Sequence, residues 1–292
     1  MSKSKQQARV KARELLAAQR RAEERRKRLL IASAGVAVVL LIVGIMVVVK
    51  LTAPKHHAAA VAASAASQTV VDGVTKVPAA VLDQVGKGKG LESTPKKLTG
   101  KTLRTADGKP LVLYMGGEFC PYCAAQRWSL ITALARFGTF HHLGQTASSP
   151  VDTDPSTPTL SFHGATYTSD YLTFQGVELY SNTQSGNGYA TLETPTSAQS
   201  QLLQTYTQGG IPFIDFADQA VVTSVTVDPA LLAGKTHQQV ADALSDPSTA
   251  IGQAEDGSAN AFTAILCGLT GDQPAAVCQS TAARAYQSTY GG

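Results

Sequence analysis

The sequence predicts an α/β domain on a mixed sheet, with an inserted loop and strand region, C-terminal helices, and one transmembrane helix ahead of it. Three observations predict this. A nearly continuous apolar run, Lys109 to Met115, leads directly into a helical repeat. A strand-rich stretch, Thr159 to Tyr180, is followed by a helical segment and then by GGIPFIDFADQAVVTSV, which reads as two short strands. The remainder, about 236–289, spaces its apolar residues as a helix does. Strand–helix–strand followed by helix–strand–strand–helix is the order of an α/β layer structure. The 292 residues, 43% hydrophobic and 16% charged, suffice for one sizeable domain plus attachments and exclude a wholly disordered chain.

The N-terminal elements come first. Residues 1–28 hold eleven of the 25 Lys and Arg but only three of the 21 Asp and Glu, so this tail carries +8 and the rest of the chain −4. Leu29 to Val49 follows with 21 residues and no charge. At about 1.5 Å per residue such a helix reaches roughly 30 Å, the thickness of the hydrocarbon core. The basic flank at 20–28 against the sparse Lys50 and Lys55 puts the N-terminus in the cytoplasm and everything after residue 50 outside. Ala58 to Ala66 offers small residues for signal-peptide cleavage, but a signal peptide's apolar region is about 7–15 residues. The longer run favours an uncleaved signal-anchor in the cell membrane. The tail has a nucleic-acid reading, yet beside a membrane span, contact with anionic lipid explains it more simply. Residues 50–70 are Ala/Ser-rich and read as a flexible stalk. The domain is therefore expected over 71–292, outside the cytoplasm.

Within it, Val70 onward suggests a short helix near 78–85. Lys109 to Met115 is a strand buried on both faces. From Ala124 a helix places Trp128, Ile131, Leu134 and Ala135 on one face, interrupted by Arg127 and Arg136, with Gly138 as its C-cap. Thr139 to Thr146 reads as the next strand and Pro150 to Pro158 as a loop. Tyr171 to Phe174 is the clearest strand of the 159–180 region. Residues 181–188 form a polar loop, and a helix runs from about Ser197 to Gln208. The two following strands turn at Ala217-Asp218-Gln219.

Four cysteines in an oxidising location imply disulfides. Cys267 and Cys278 are separated by GLTGDQPAAV, a turn-rich segment that suits a structural clip between helices. Cys120-Pro121-Tyr122-Cys123 has three readings: redox centre, half of a metal site, or inert disulfide. Zinc requires four ligands, and the chain has no second C-x-x-C and no H-x-x-x-H. His141-His142 sits about twenty residues on, but neighbours on a strand point to opposite faces. His56-His57 has no further ligand nearby. No metal and no cofactor is expected. The redox reading has the stronger physics. Cys120 follows a strand and starts a helix, where unpaired N–H groups and the helix dipole stabilise a thiolate and bring the pKa from about 8.5 to about 3.5–7.5. Pro121 fits the first turn. Cys123, one turn on, closes the bond. This arrangement predicts one exposed attacking sulfur and one sheltered resolving sulfur. Glu118 has two readings: a proton relay to Cys123, or a solvated loop residue, which is favoured. Tyr122 shapes a substrate groove or covers the disulfide.

Strand, CPYC and helix, followed downstream by Gly209-Gly210-Ile211-Pro212-Phe213 opening an apolar strand, resembles the thioredoxin superfamily. The resemblance implies a thioredoxin-like fold in which Pro212 is a cis-proline facing the cysteine pair and Ile211 offers its backbone to substrate. Cis bonds are essentially confined to X-Pro. More narrowly, GGEFCPYCAAQRW behind an N-terminal anchor resembles domain-of-unknown-function family 929, over roughly 75–290. CPYC is also the dipeptide pattern common in glutaredoxins, and Tyr122, being uncharged, stabilises a thiolate less than a protonated His would, which predicts a potential near theirs, about −200 to −230 mV. The expected activity is that of a membrane-anchored, extracytoplasmic thiol–disulfide oxidoreductase. Its partners are cysteine-containing secreted or envelope proteins and a recharging redox protein. The alternative is a non-catalytic module that uses the same fold as a cell-envelope interaction surface.

Overall fold

The computed structural model describes residues 63–291. The basic tail, the 29–49 span and His56-His57 lie outside the described residues. Among the described residues no helix is long and apolar enough to cross a membrane.

The described chain begins with β1 (Ser64–Ala65), α1 (Gln68–Thr75), α2 (Ala79–Val85) and β2 (Lys96–Lys97), and reaches β3 (Leu111–Gly116) and α3 (Pro121–Leu134). Then come β4 (Thr139–His141), β5 (Gly144–Ala147), β6 (Pro158–Ser161), β7 (Thr166–Thr168), β8 (Thr173–Glu178), β9 (Tyr180–Ser185) and β10 (Gly188–Thr191). Helix α4 (Ser197–Thr207), β11 (Phe213–Phe216), β12 (Ala220–Val222), α5 (His237–Leu244) and α6 (Ala250–Leu269) follow. Short helical turns at Ala275–Cys278, Thr281–Arg284 and Gln287–Tyr290 end the chain.

The principal sheet has the order β2-β12-β11-β3-β8. Strand β8 is parallel to β3, while β11, β12 and β2 pair antiparallel, so the sheet is mixed. Val112 to Gly116 of the interior strand β3 are all buried, which is why that strand reads as a run of apolar residues and not as an alternation. Helix α3 starts the crossover from β3 towards β8. Every residue of it except Tyr122 is buried, because α6 and β6 both pack on it. The only tryptophan of the chain, Trp128, lies wholly inside and donates its indole N–H to the Pro158 carbonyl at 3.0 Å. The Thr159 hydroxyl donates to the Ala124 carbonyl at 2.9 Å, which ties β6 to the same helix.

Several elements differ from expectation for local reasons. The 139–146 strand is divided: His142 has φ 59°, and this turn sends β4 to pair with β7 and β5 to pair with β1 and β6. The 181–188 loop is instead most of the β9–β10 hairpin, which closes through Gly186-Asn187 with Gly188 opposite Ser185. Gly138 does not cap α3, whose cap is Ala135; a Cβ on Gly138 would collide with the Thr168 carbonyl of β7. The stalk ends earlier than residue 70. Ser64–Ala65 pairs with β5, and Val70 and Val74 of α1 are core residues, with Gly73 packed against Ala241 of α5.

Candidate functional site

Strand β3 ends at Gly116, and four residues later Cys120 caps α3. The Cys123 N–H donates to the Cys120 sulfur at 3.3 Å. The segment between is pinned from two sides. The Glu118 N–H donates to the Tyr180 carbonyl at 2.8 Å, and the Ser149 N–H donates to the Phe119 carbonyl at 2.7 Å. The Phe119 ring stacks on Tyr189 of the hairpin, with centroids 4.1 Å apart. Ile211-Pro212 is a cis peptide bond, and Phe213, next in the chain, is in register with Met115. The cis bond therefore sits at the end of the sheet from which the CPYC turn leaves. A Cβ on Gly117 would come within 3.3 Å of Ile211 Cδ1, a measure of how closely the two segments approach.

Cys120 and Cys123 are both free thiols, and both are buried. Cys120 is 5% exposed, so the prediction of an exposed attacking sulfur is corrected. The reason is the capping bond itself, which turns the sulfur back onto the first turn of the helix. Tyr122, 42% exposed, is the residue of that turn facing solvent. A hydrogen bond from the Cys123 thiol is the largest influence lowering the Cys120 pKa. Burial opposes it, and the Cys123 N–H and the charge of Arg127 reinforce it. Cys123 is pushed well up, by burial first and then by donating to Cys120. The two sulfurs are thus unequal: one is disposed to ionise, the other to hold its proton.

Glu118 is corrected as well. It is 2% exposed, not solvated, and its Oε1 accepts from the Ser161 hydroxyl at 2.6 Å. Burial raises its pKa, partly countered by that bond. Below the cysteines lies a group that sequence reasoning missed. Arg127 is fully buried, with Nε and Nη2 on Glu178 Oε1 and Oε2 at 2.8 and 2.6 Å. Tyr114 of β3 lies against it, with its ring centroid 5.6 Å from the guanidinium carbon. An arginine interrupting the apolar face of this helix was the available signal, since such a residue is rarely buried without a partner. Its partner, 51 residues away, was not visible.

The remaining expected residues lie elsewhere. Cys267 in α6 and Cys278 in the following helical turn form a disulfide, S–S 2.04 Å. His141 and His142 are exposed, and the His141 ring meets the Thr168 hydroxyl at 3.2 Å. Among the described residues no group of three or more His, Cys, Asp and Glu is arranged to hold a metal. A cavity of about 750 Å³ lined by Leu113, Phe140, Phe162, Phe174 and Leu202 contains none of the CPYC residues.

The family model described as Domain of unknown function (DUF929) matches residues 97–268. The match opens in β2, encloses CPYC, Arg127, Glu178 and the Ile211-Pro212 bond, and closes within α6. No curated protein and no solved structure shows a significant match to the chain. With well over half of its length matched, the chain belongs to the DUF929 family.

Proposed function

We propose that this protein is a thiol–disulfide oxidoreductase of the thioredoxin superfamily, tethered to the cell membrane by residues 29–49 with residues 71–292 outside the cytoplasm. The observation that carries the proposal is the asymmetry of the cysteine pair at a helix N-terminus: Cys120, the N-cap, accepts hydrogen bonds from Cys123 and is disposed to ionise, while Cys123 is deeply buried and disposed to hold its proton. Support for the fold comes from the β3–α3–β8 parallel unit followed by α4 and the antiparallel β11–β12 pair, with a cis-proline entering β11.

In the reducing direction, the Cys120 thiolate attacks a substrate disulfide. A Cys120–substrate bond forms and the other substrate sulfur leaves as a thiolate. Cys123 then attacks Cys120, the Cys120–Cys123 disulfide forms, and the second substrate thiol is released with the proton that Cys123 gave up. The oxidising direction is the reverse. Ile211 and Pro212 line the approach, Tyr122 meets the substrate first, and a partner protein restores the starting redox state. The pair itself is the redox group, with no cofactor required.

Replacing Cys123 by Ala blocks the second step and is expected to accumulate mixed disulfides on Cys120 with secreted or envelope proteins, visible on non-reducing gels and absent in Cys120→Ser. Burial of the Cys120 sulfur favours a second reading, a non-catalytic interaction module. On that reading the oxidised pair resists mild reductants and Cys123→Ala traps nothing.

A further inference from the structure

We propose that Arg127 is a positioning residue for the cysteine pair, a buried cation that steadies negative charge on the sulfurs and is held to part strength by Glu178. The inference rests on the pair being the functional centre.

Arg127 follows Cys123 by four residues, so the two stack on one face of α3, one turn apart. Glu178 reaches the same place from the sheet: it ends β8 directly beside Gly116, the last residue before the CPYC turn. The ion pair is therefore mounted on the two elements that hold Cys120, the end of β3 with its parallel neighbour and the helix after it. Its hydrogen bonding is lopsided. Glu178 engages Nε and Nη2, and its Oε1 also accepts the Phe162 N–H at 3.2 Å. Among the described residues Nη1 finds no acceptor, and the buried Tyr114 hydroxyl has no hydrogen-bond partner. A Cβ on Gly116 would collide with that hydroxyl, which fixes how close Tyr114 comes to the turn. A purely structural ion pair gains nothing from leaving buried donors unpaired, because such groups are costly. Spare donors in a buried layer suit a charge that is present in only part of a reaction cycle. The guanidinium already acts on both sulfurs, lowering the pKa of Cys120 and of Cys123.

That charge appears in the resolving step. Cys123 passes from thiol to thiolate as it attacks Cys120, and the proton ends on the departing substrate sulfur. Arg127 steadies the thiolate in between. Stabilising a thiolate also stabilises the reduced pair and makes it a stronger oxidant.

The test compares Glu178→Gln with Arg127→Met/Glu178→Gln in the full-length protein. The thiolate absorbance of Cys120 near 240 nm is titrated, and the dithiol–disulfide equilibrium is measured against glutathione. Releasing Arg127 from Glu178 is expected to lower the Cys120 pKa by about one unit, a tenfold larger thiolate-to-thiol ratio, and to shift the equilibrium towards dithiol. Removing both charges is expected to move both readouts the opposite way from the single variant, with Arg127→Lys intermediate. Should the double variant not fold, Glu178→Gln decides alone. Equal readouts in Glu178→Gln and wild type, or same-direction shifts in both variants, overturn the inference. The titration requires no turnover, so a protein that traps no client but shows the opposed shifts would sink the oxidoreductase reading and leave the role of Arg127 standing.

Discussion

At Cys120 two effects oppose each other: the hydrogen bond from the Cys123 thiol favours the thiolate, burial disfavours it, and the hydrogen bond prevails with the Cys123 N–H and Arg127 behind it. At four buried carboxyls, burial prevails. Glu118, Asp215, Glu255 and Asp256 are all raised, with Asp215 at about 6 and Asp256 at about 8. Glu255 Oε2 accepts the Ser129 N–H at 3.1 Å, but both oxygens of Asp256 are buried without partners. An acid whose folded pKa exceeds its unfolded value contributes its full share of stability below the unfolded value, near 4, and loses it as pH climbs to the folded value. The protein is therefore expected to lose stability steadily between about pH 4 and pH 8. Asp256→Asn should flatten that slope by on the order of a few kcal/mol across the window; urea midpoints at pH 5 and pH 8 would measure it. Cys120 and Cys123 were legible in the sequence because C-x-x-C is a local spacing, whereas the cis bond at Pro212 was expected only from the resemblance. Arg127 and Glu178 were not legible, because an arginine among apolar residues looks like a break in a helix face until the distant glutamate is seen opposite it.

Elements were legible where their pattern was strong. The core strand β3, the helix after CPYC, α4 and the 217–219 turn all declared themselves, the last now seen with φ 52° and 58° at Ala217 and Asp218. The hairpin β9–β10 did not. Ser181 to Gln184 is polar on both faces, so no alternation marks it, although Gly186-Asn187 is a two-residue turn signal in itself. What places the hairpin is buried polarity: the Asn182 amide donates to the Ala147 carbonyl at 2.9 Å and to the Thr146 hydroxyl at 3.1 Å. At the other end of the chain, the Cys267–Cys278 bond ties α6 to the closing helical turns. Tyr286 donates to the Lys87 carbonyl and Tyr290 to the Pro95 carbonyl, at 2.9 and 2.7 Å, which clamps those turns over the N-terminal part of the domain. Cys267→Ala/Cys278→Ala should cost about 3 kcal/mol on the chain-entropy model for a loop of that size. Chemical denaturation of the two proteins under oxidising conditions measures the difference.

At the scale of the molecule, the domain starts earlier than its composition implies. Ala/Ser-rich sequence carries little pattern, and only the burial of Val70 and Val74 reveals that α1 belongs to the core. Val74 also accepts from the buried Thr132 hydroxyl of α3 at 3.2 Å, so the extra helix braces the one that carries the cysteines. A fragment beginning at residue 77 is expected to be less stable than one beginning at residue 63 by at least about 3 kcal/mol, the worth of two buried valines. Parallel guanidinium titrations would show it. The position of Trp128 has a consequence for watching this protein work. Because the molecule contains a single indole, buried a little over one turn beyond Cys123 on the same helix, its tryptophan emission comes from one point on the helix that carries the sulfurs, and a fluorimeter can follow that helix without any added dye.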